Sequence, residues 1–337
     1  MGLGGLAYAG NITPERLTAS MSAYQPNIAN NVRTRKPLLE MMKGRTKLYS
    51  GGTEVAVRVR TSRSAKLGGS GGSGVWSYYD ELSTTPTDTV RAMGERFSNF
   101  NQPIALSHEE KWENDGEHAF DRLMENRSFA EDDLSDELNE AFWGISGGDG
   151  NKLPTAITDV ISGTDSLTLY GLVKSSSANT WLNSQAVTTV GDLETELLDA
   201  MRDAELLCID NSPNKSDKID AWITHRSVFL GLEKTLPQYI QVGSTKEADL
   251  GFDQIHLNKV PIMWDSDTPL DSTQDYQMFG LMLKYWEVGT RRQANFKITP
   301  FKDMLPKQPA DVAQLLHSFA NVCNNPRTNV RISDITL

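Results

Sequence analysis

Five histidines, His108, His118, His225, His256 and His317, are the side chains best suited to hold a metal or move a proton near neutral pH. They stand singly, and no two have the spacing by which a helix or turn presents paired imidazoles to zinc. Each therefore reads as an isolated surface or core histidine. Asp265-Ser266-Asp267 with Asp271 loosely suggests a calcium loop, but the loop glycine and the terminal glutamate are missing. The glycine-serine run at 68–74 contains Gly-x-Ser-x-Gly, yet no strand-to-helix turn surrounds it, and no Gly-Lys dipeptide supplies a phosphate loop. Cys208 and Cys323 are too few for a disulfide framework and read as small buried hydrophobes in a reducing compartment. Carboxylate pairs abound, but among 44 acidic residues they carry no glycosidase signal. The expectation is a structural role, with no catalytic residue, cofactor or metal.

A chain of 337 residues allows two ordinary domains, or one large one with extensions, and needs neither disulfides nor metal to fold. It has no run of about 18 apolar residues, and residues 1–10 lack the pattern of a secretory signal. The expectation is a soluble, acidic, cytosolic protein that spans no membrane. A formal charge of −11 argues against a surface that seeks nucleic acid throughout.

That charge is segregated. Residues 16–66 hold eleven basic side chains, including Arg33, Arg35, Lys36, Arg58, Arg60, Arg63 and Lys66, against Glu40 and Glu54 alone, a balance of +9. Residues 109–140 hold thirteen acids, including Glu125, Glu131, Asp132, Asp133, Asp136 and Glu137, against three bases, a balance of −10. Opposite blocks steer and register a contact, within one subunit or between copies. Folding of the basic block onto DNA is the competing use.

Several elements must carry these blocks. Pro26 and Pro37 break any long helix in the first fifty residues, which read as an extended arm with short helical pieces. Val55, Val57 and Val59 alternate with polar neighbours and predict a strand. After the flexible run at 68–74, a second extended stretch from about 90 to 100 completes a protruding hairpin. Trp76, Tyr78 and Tyr79 near its tip either fold back on the body or dock on a partner. Ser107 and Glu110 have capping-box spacing. Helical spacing over 117–143 predicts a long helix with a narrow apolar stripe, ended by Gly144. A helix opening at Thr189–Asp192 follows, then a strand at 219–223 and a helix from about Ser227 to Pro237. Further strands are predicted at 276–288, 296–301 and 312–323, the last leaving helix open. The predicted fold class is mixed α+β, without internal repeats.

Short patterns recur in order along nearly the whole chain: Gly148-Asp149-Gly150-Asn151 leading to Pro154 and Ile157; Tyr170-Gly171-Leu172 with Trp181-Leu182-Asn183; Asp220-Ala221-Trp222-Ile223-Thr224; Val260-Pro261-Ile262 with Asp265 and Tyr276–Leu281; and Ala320–Arg327. Together they resemble the major capsid proteins of tailed bacteriophages, the Hong Kong 97-type fold shared with herpesvirus shells. Lys259 stands where that family commonly has glycine.

The resemblance implies an N-terminal arm at 1–50, an E-loop hairpin at 51–105, and a peripheral domain with a spine helix at 106–155. An axial domain at 156–288, peripheral strands at 289–325 and a C-terminal return at 326–337 complete it. It further implies hexamers and pentamers closing into an icosahedral head around double-stranded DNA, a virion component assembled in the host cytoplasm. Its implied partners are a portal, decoration proteins and packaged DNA held without sequence preference at the inner face. With no long scaffolding segment ahead of the arm, the expectation is a separate scaffolding protein or none, and no crosslink is predicted for Lys66. The inter-subunit contacts would be Arg33, Arg35, Lys36, Arg58, Arg60, Arg63, Lys66, Trp76, Tyr78 and Tyr79 on the arm and hairpin. Opposite them would stand Glu125, Glu131, Asp132, Asp133, Asp136 and Glu137 on the spine helix. Two alternatives remain: an encapsulin-type bacterial compartment shell, and a soluble hydrolase using acidic pairs.

Overall fold

The computed structural model describes residues 36–61, 78–79, 89–109, 117–145, 152–163, 167–188, 196–214, 216–235, 255–257, 259–270, 275–304 and 309–336. The chain divides into two compact units. The smaller holds Phe100–Asp136 and Phe296–His317; the larger holds Thr34–Asn99, Glu137–Asn295 and Ser318–Leu337.

In the larger unit, helix α1 (Pro37–Lys43) starts with proline at its first position, where no backbone N–H is needed, and buries Leu38, Leu39 and Met42. Strand β1 (Thr46–Tyr49) follows. Strands β2 (Glu54–Arg60) and β3 (Val90–Arg96) form an antiparallel hairpin in register from Glu54↔Arg96 to Arg60↔Val90. The burial alternates as predicted: Val55, Val57 and Val59 are covered or partly covered, while Ala56, Arg58 and Arg60 are exposed.

Strand β4 (Ser98–Ser107) leads into the smaller unit, where the Ser107 hydroxyl accepts the Glu109 N–H at 3.3 Å. The rest of the helix predicted there lies outside the described residues. Helix α2 (Glu117–Trp143) is continuous over the predicted span, about 40 Å at 1.5 Å per residue. Ala130, Leu134, Leu138, Ala141 and Phe142 form its buried stripe, spaced at three to four residues. It stops at Gly144, whose φ of +77° suits the left-handed cap, and a Cβ there would sit 2.9 Å from the Ala156 Cβ.

After the single turn α3 (Ile157–Val160) and the ribbon of β5 (Thr168–Leu169) and β6 (Leu172–Val173), a six-stranded mixed sheet forms the core of the larger unit. Its strands are β7 (Gln185–Thr188), β8 (Ala221–Thr224), β9 (Ile255–Leu257), β10 (Val260–Trp264), β11 (Tyr276–Leu281) and β16 (Val330–Ile335). They are ordered β7-β16-β11-β8-β10-β9. Helices α4 (Leu197–Asp210) and α5 (Arg226–Thr235) cover it with Leu197, Met201, Ala204, Cys208, Val228 and Leu232. The start of α4 predicted at Thr189–Asp192 lies outside the described residues. Both cysteines are buried and unpaired, and burial pushes their thiols up to about 12.

The strand predicted over 276–288 is two strands in two sheets. A 3-10 turn at Leu283–Tyr285 separates β11 from β12 (Trp286–Arg291), which pairs with β1 and with β15 (Ala310–Cys323). Buried Asn329 holds the switch: its carbonyl oxygen accepts the Met282 N–H at 3.0 Å and the Trp286 indole N–H at 2.9 Å. Both stretches are apolar, so periodicity alone could not mark the break. Likewise the strand predicted at 296–301 shrinks to β13 (Lys297–Ile298), which ends ahead of Pro300 with its missing N–H, and a second short strand, β14 (Lys302–Asp303), begins just past the predicted span. Ala310–Cys323 is a strand and not a helix. Its first half pairs in the smaller unit with β13 and β14, and β4 joins the same strand.

Gly280 in β11 is required by close approach: a Cβ would lie 2.7 Å from Trp222 and 2.8 Å from Val330. Gly280→Ala is expected to destabilise the larger unit by about 1–3 kcal/mol. An unchanged urea midpoint would refute that packing.

Candidate functional site

The basic hairpin has two unlike faces. On one, Val55 and Met93 are buried, and Arg91 and Glu95 tie the hairpin to the rest of the larger unit. The Arg91 guanidinium donates to the Asn179 carbonyl at 3.1 Å, and the Glu95 carboxylate accepts the Thr155 N–H at 2.8 Å. Burial raises the Glu95 carboxyl above its ordinary value. On the other face Glu54, Ala56, Arg58, Arg60, Val90, Ala92 and Arg96 are exposed, three arginines and one glutamate among small side chains. The structure therefore brings Arg58 and Arg60 together. It also adds Arg91 as a tether, which sequence reasoning missed because the cross-strand register was not legible.

Of the remaining basic and aromatic candidates, Lys36 is half-buried just ahead of α1, and Tyr78 and Tyr79 are 93% and 100% exposed. Arg33, Arg35, Arg63, Lys66 and Trp76 lie outside the described residues.

The acidic candidates occupy successive turns of α2. In the smaller unit Glu125, Glu131, Asp132 and Asp136 are half-buried and Asp133 is exposed. Glu131 is paired within the helix to Arg127 at 2.9 Å, and Asp133 accepts from the Gln102 amide at 3.4 Å. An exposed i,i+4 pair of this kind contributes about 0.3–0.5 kcal/mol, so Glu131 is weakly committed to its own helix. In the larger unit Glu137 is exposed, and partial burial together with the neighbouring Glu140 charge raises its carboxyl.

The C-terminal turns of α2 are fixed by a buried polar knot. The fully buried Asn139 donates from its amide nitrogen to Asp265 at 3.0 Å and to Asp267 at 2.6 Å. The Asp265 carboxylate also accepts the Asp267 N–H at 3.0 Å and the Leu38 N–H at 3.5 Å, gathering α1, α2 and the turn after β10. The calcium-like spacing of Asp265 and Asp267 thus has another meaning. The Asn139 amide donor lies between their oxygens, and Asp271 lies outside the described residues. Burial is the main reason the Asp265 carboxyl is raised to about 6; the neighbouring Asp267 charge adds to it and the hydrogen bonds oppose it.

No protein-family model matches the sequence, and no curated protein matches it. Solved structures do. The chain in the cyanophage A-1(L) capsid asymmetric unit superposes with a TM-score of 0.66 at 14% identity, covering 94% of this chain and 98% of that one. The fold is that of a phage capsid subunit. The capsid of the native GTA particle matches with a TM-score of 0.59 at 11% identity, over 96% of this chain and 100% of that one. The holo-SrpI encapsulin complex from Synechococcus elongatus PCC 7942 matches with a TM-score of 0.57 at 8% identity, over 93% and 92%. Capsid fold and mixed α+β class therefore agree with the reading of the sequence.

The Asp265 knot makes a pH prediction. A carboxyl titrating at 3.8 when unfolded and at about 6 when folded stabilises the protein below about pH 4, and loses that contribution as pH rises through 6. The loss corresponds to about 3 kcal/mol. Asp265→Asn is expected to flatten the stability profile between pH 4 and 6 in thermal unfolding; an identical slope in both proteins would refute the assignment.

Proposed function

We propose that the chain is a major capsid protein that self-assembles as hexamers and pentamers into the icosahedral head of a tailed bacteriophage, around double-stranded DNA. The observation that carries this reading is near-complete coverage in both directions, 94% of this chain on 98% of a cyanophage capsid chain. A catalytic domain grafted onto a shell fold would leave a large part of one chain unmatched.

In this reading the segments of the chain serve as an assembly plan: arm 1–50, hairpin 51–105, spine-helix segment 106–155, axial domain 156–288, peripheral strands 289–325 and C-terminal return 326–337. The exposed arginine face of β2 lies over the acidic turns of α2 in a neighbouring copy. Closed symmetry repeats that contact around each capsomer. Individually weak charged contacts then add through multivalency and set register more than affinity. Portal, scaffolding and decoration proteins would complete the head. The acidic balance of the remaining chain limits sticking to the DNA inside.

A second reading is an encapsulin-type compartment, favoured by the match to the SrpI encapsulin complex. Negative-stain microscopy of the purified protein, expressed alone and with its neighbouring gene products, separates these readings. Shells or capsomers are expected; a monomer that forms neither under any condition overturns both. Shells that fill with DNA in the presence of portal and packaging genes favour the phage head, and shells that fill with an enzyme favour the compartment.

Reversing Glu131, Asp132 and Asp133 to lysine is expected to lower the yield of assembled particles at low salt and to make that yield rise with salt where the wild type's falls, because exposed charge contacts, attractive or repulsive, are screened within about 10 Å at 0.1 M. Sedimentation of wild-type and variant particles across a salt series reads both effects. Unchanged shells from the variant at low salt would count against charge-registered assembly.

A further inference from the structure

Three residues far apart in sequence converge in the smaller unit. His108 follows β4, Asp303 ends β14, and Asp311 lies near the start of β15. The His108 Nε2 is 3.5 Å from the Asp311 carboxylate and 3.8 Å from that of Asp303, and one ligand atom from each residue lies within 4.8 Å of the other two. Backbone pairing sets this geometry. Asp303 and Asp311 are direct cross-strand partners, the Met304 N–H bonds to the Ala310 carbonyl at 3.0 Å, and the His108 N–H bonds to the Pro309 carbonyl at 3.0 Å. The His108 and Asp311 side chains are 18% and 21% exposed, so the cluster is partly shielded while Asp303, at 51%, leaves an open side.

We propose that His108, Asp303 and Asp311 form a binding site for a divalent transition-metal cation of the zinc class, which ties three strands of the smaller unit together.

Three arguments support it. Neighbouring ligand atoms around tetrahedral zinc, bonded at about 2.0–2.2 Å, stand about 3.4 Å apart, so the 3.5 and 3.8 Å from His108 to the two carboxylates nearly fit, and the carboxylate oxygens, within 4.8 Å of each other, would draw together on the ion. Like charges directly opposite on paired strands are destabilising, and a cation among these carboxylates converts repulsion into attraction. One imidazole with two carboxylates suits zinc or manganese better than magnesium or calcium, which prefer all-oxygen shells. The remaining coordination positions fall on the Asp303 side and would be filled by water or by a group of another subunit.

The test is calorimetric titration of the untagged, metal-stripped full-length protein with zinc chloride and, separately, manganese chloride, with magnesium chloride as control. One saturable zinc site per chain is expected, weakened at least tenfold in both His108→Ala and Asp303→Asn. Asp303 is exposed, so the second variant retains the fold if the first does not. At a hundredfold excess over its dissociation constant, zinc should raise the Tm by about 5 °C in the wild type and not in the variants. The absence of saturable binding would overturn the proposal, as would binding undiminished in both variants. So would a cluster that responds to pH through His108 but not to zinc, which would make a proton its occupant.

Discussion

From Ser318 to Cys323 strand β15 is buried on both faces, and much of the larger unit is arranged around what that burial demands. Its backbone finds partners in β12 along Trp286↔Cys323 to Thr290↔Phe319, and the Cys323 N–H is taken up by the Tyr170 hydroxyl at 2.8 Å. Phe319 packs on Phe142 of α2 with ring centroids 4.9 Å apart, and the Asn321 amide donates to the Thr155 carbonyl at 3.0 Å. Thr155 also anchors Glu95 of the hairpin through its own N–H. A buried strand that cannot reach water must take its hydrogen bonds from its surroundings. Here those surroundings include the last turn of the long helix and the segment that fixes the hairpin.

The polar knot at Asp265 does related work for a different set of elements. Helices meet most easily through apolar stripes, which fix distance but leave rotation and sliding less constrained. An Asn139 amide shared between two aspartates fixes the register of α2 against α1 and the turn after β10. Retaining a buried carboxyl against its desolvation cost is intelligible when geometry matters more than maximal stability.

Charge, by contrast, lies on the surfaces that these anchors leave outward. Arg58 and Arg60 share the exposed face of a ribbon whose other face is tied down. The acids of α2 flank a stripe of buried Ala130, Leu134 and Leu138. Both arrangements follow from periodicity, two residues in the strand and 3.6 in the helix, so both are legible in the order of the residues.

That periodicity sets the limit of what the sequence by itself determined: α2 over 117–143, its stop at Gly144, the valine face of β2, the mixed α+β class and the segregation of charge. Each depends on residues within a few positions of one another. Tertiary structure alone decided that 276–288 serves two sheets, since the break rests on Asn329, more than forty residues away. It alone decided that Asp265 and Asp267 receive an amide, and that His108 meets Asp303 and Asp311. These juxtapositions come from strand pairing and helix packing between distant segments. The free energy of such contacts is spread over the whole core and leaves no local pattern to read.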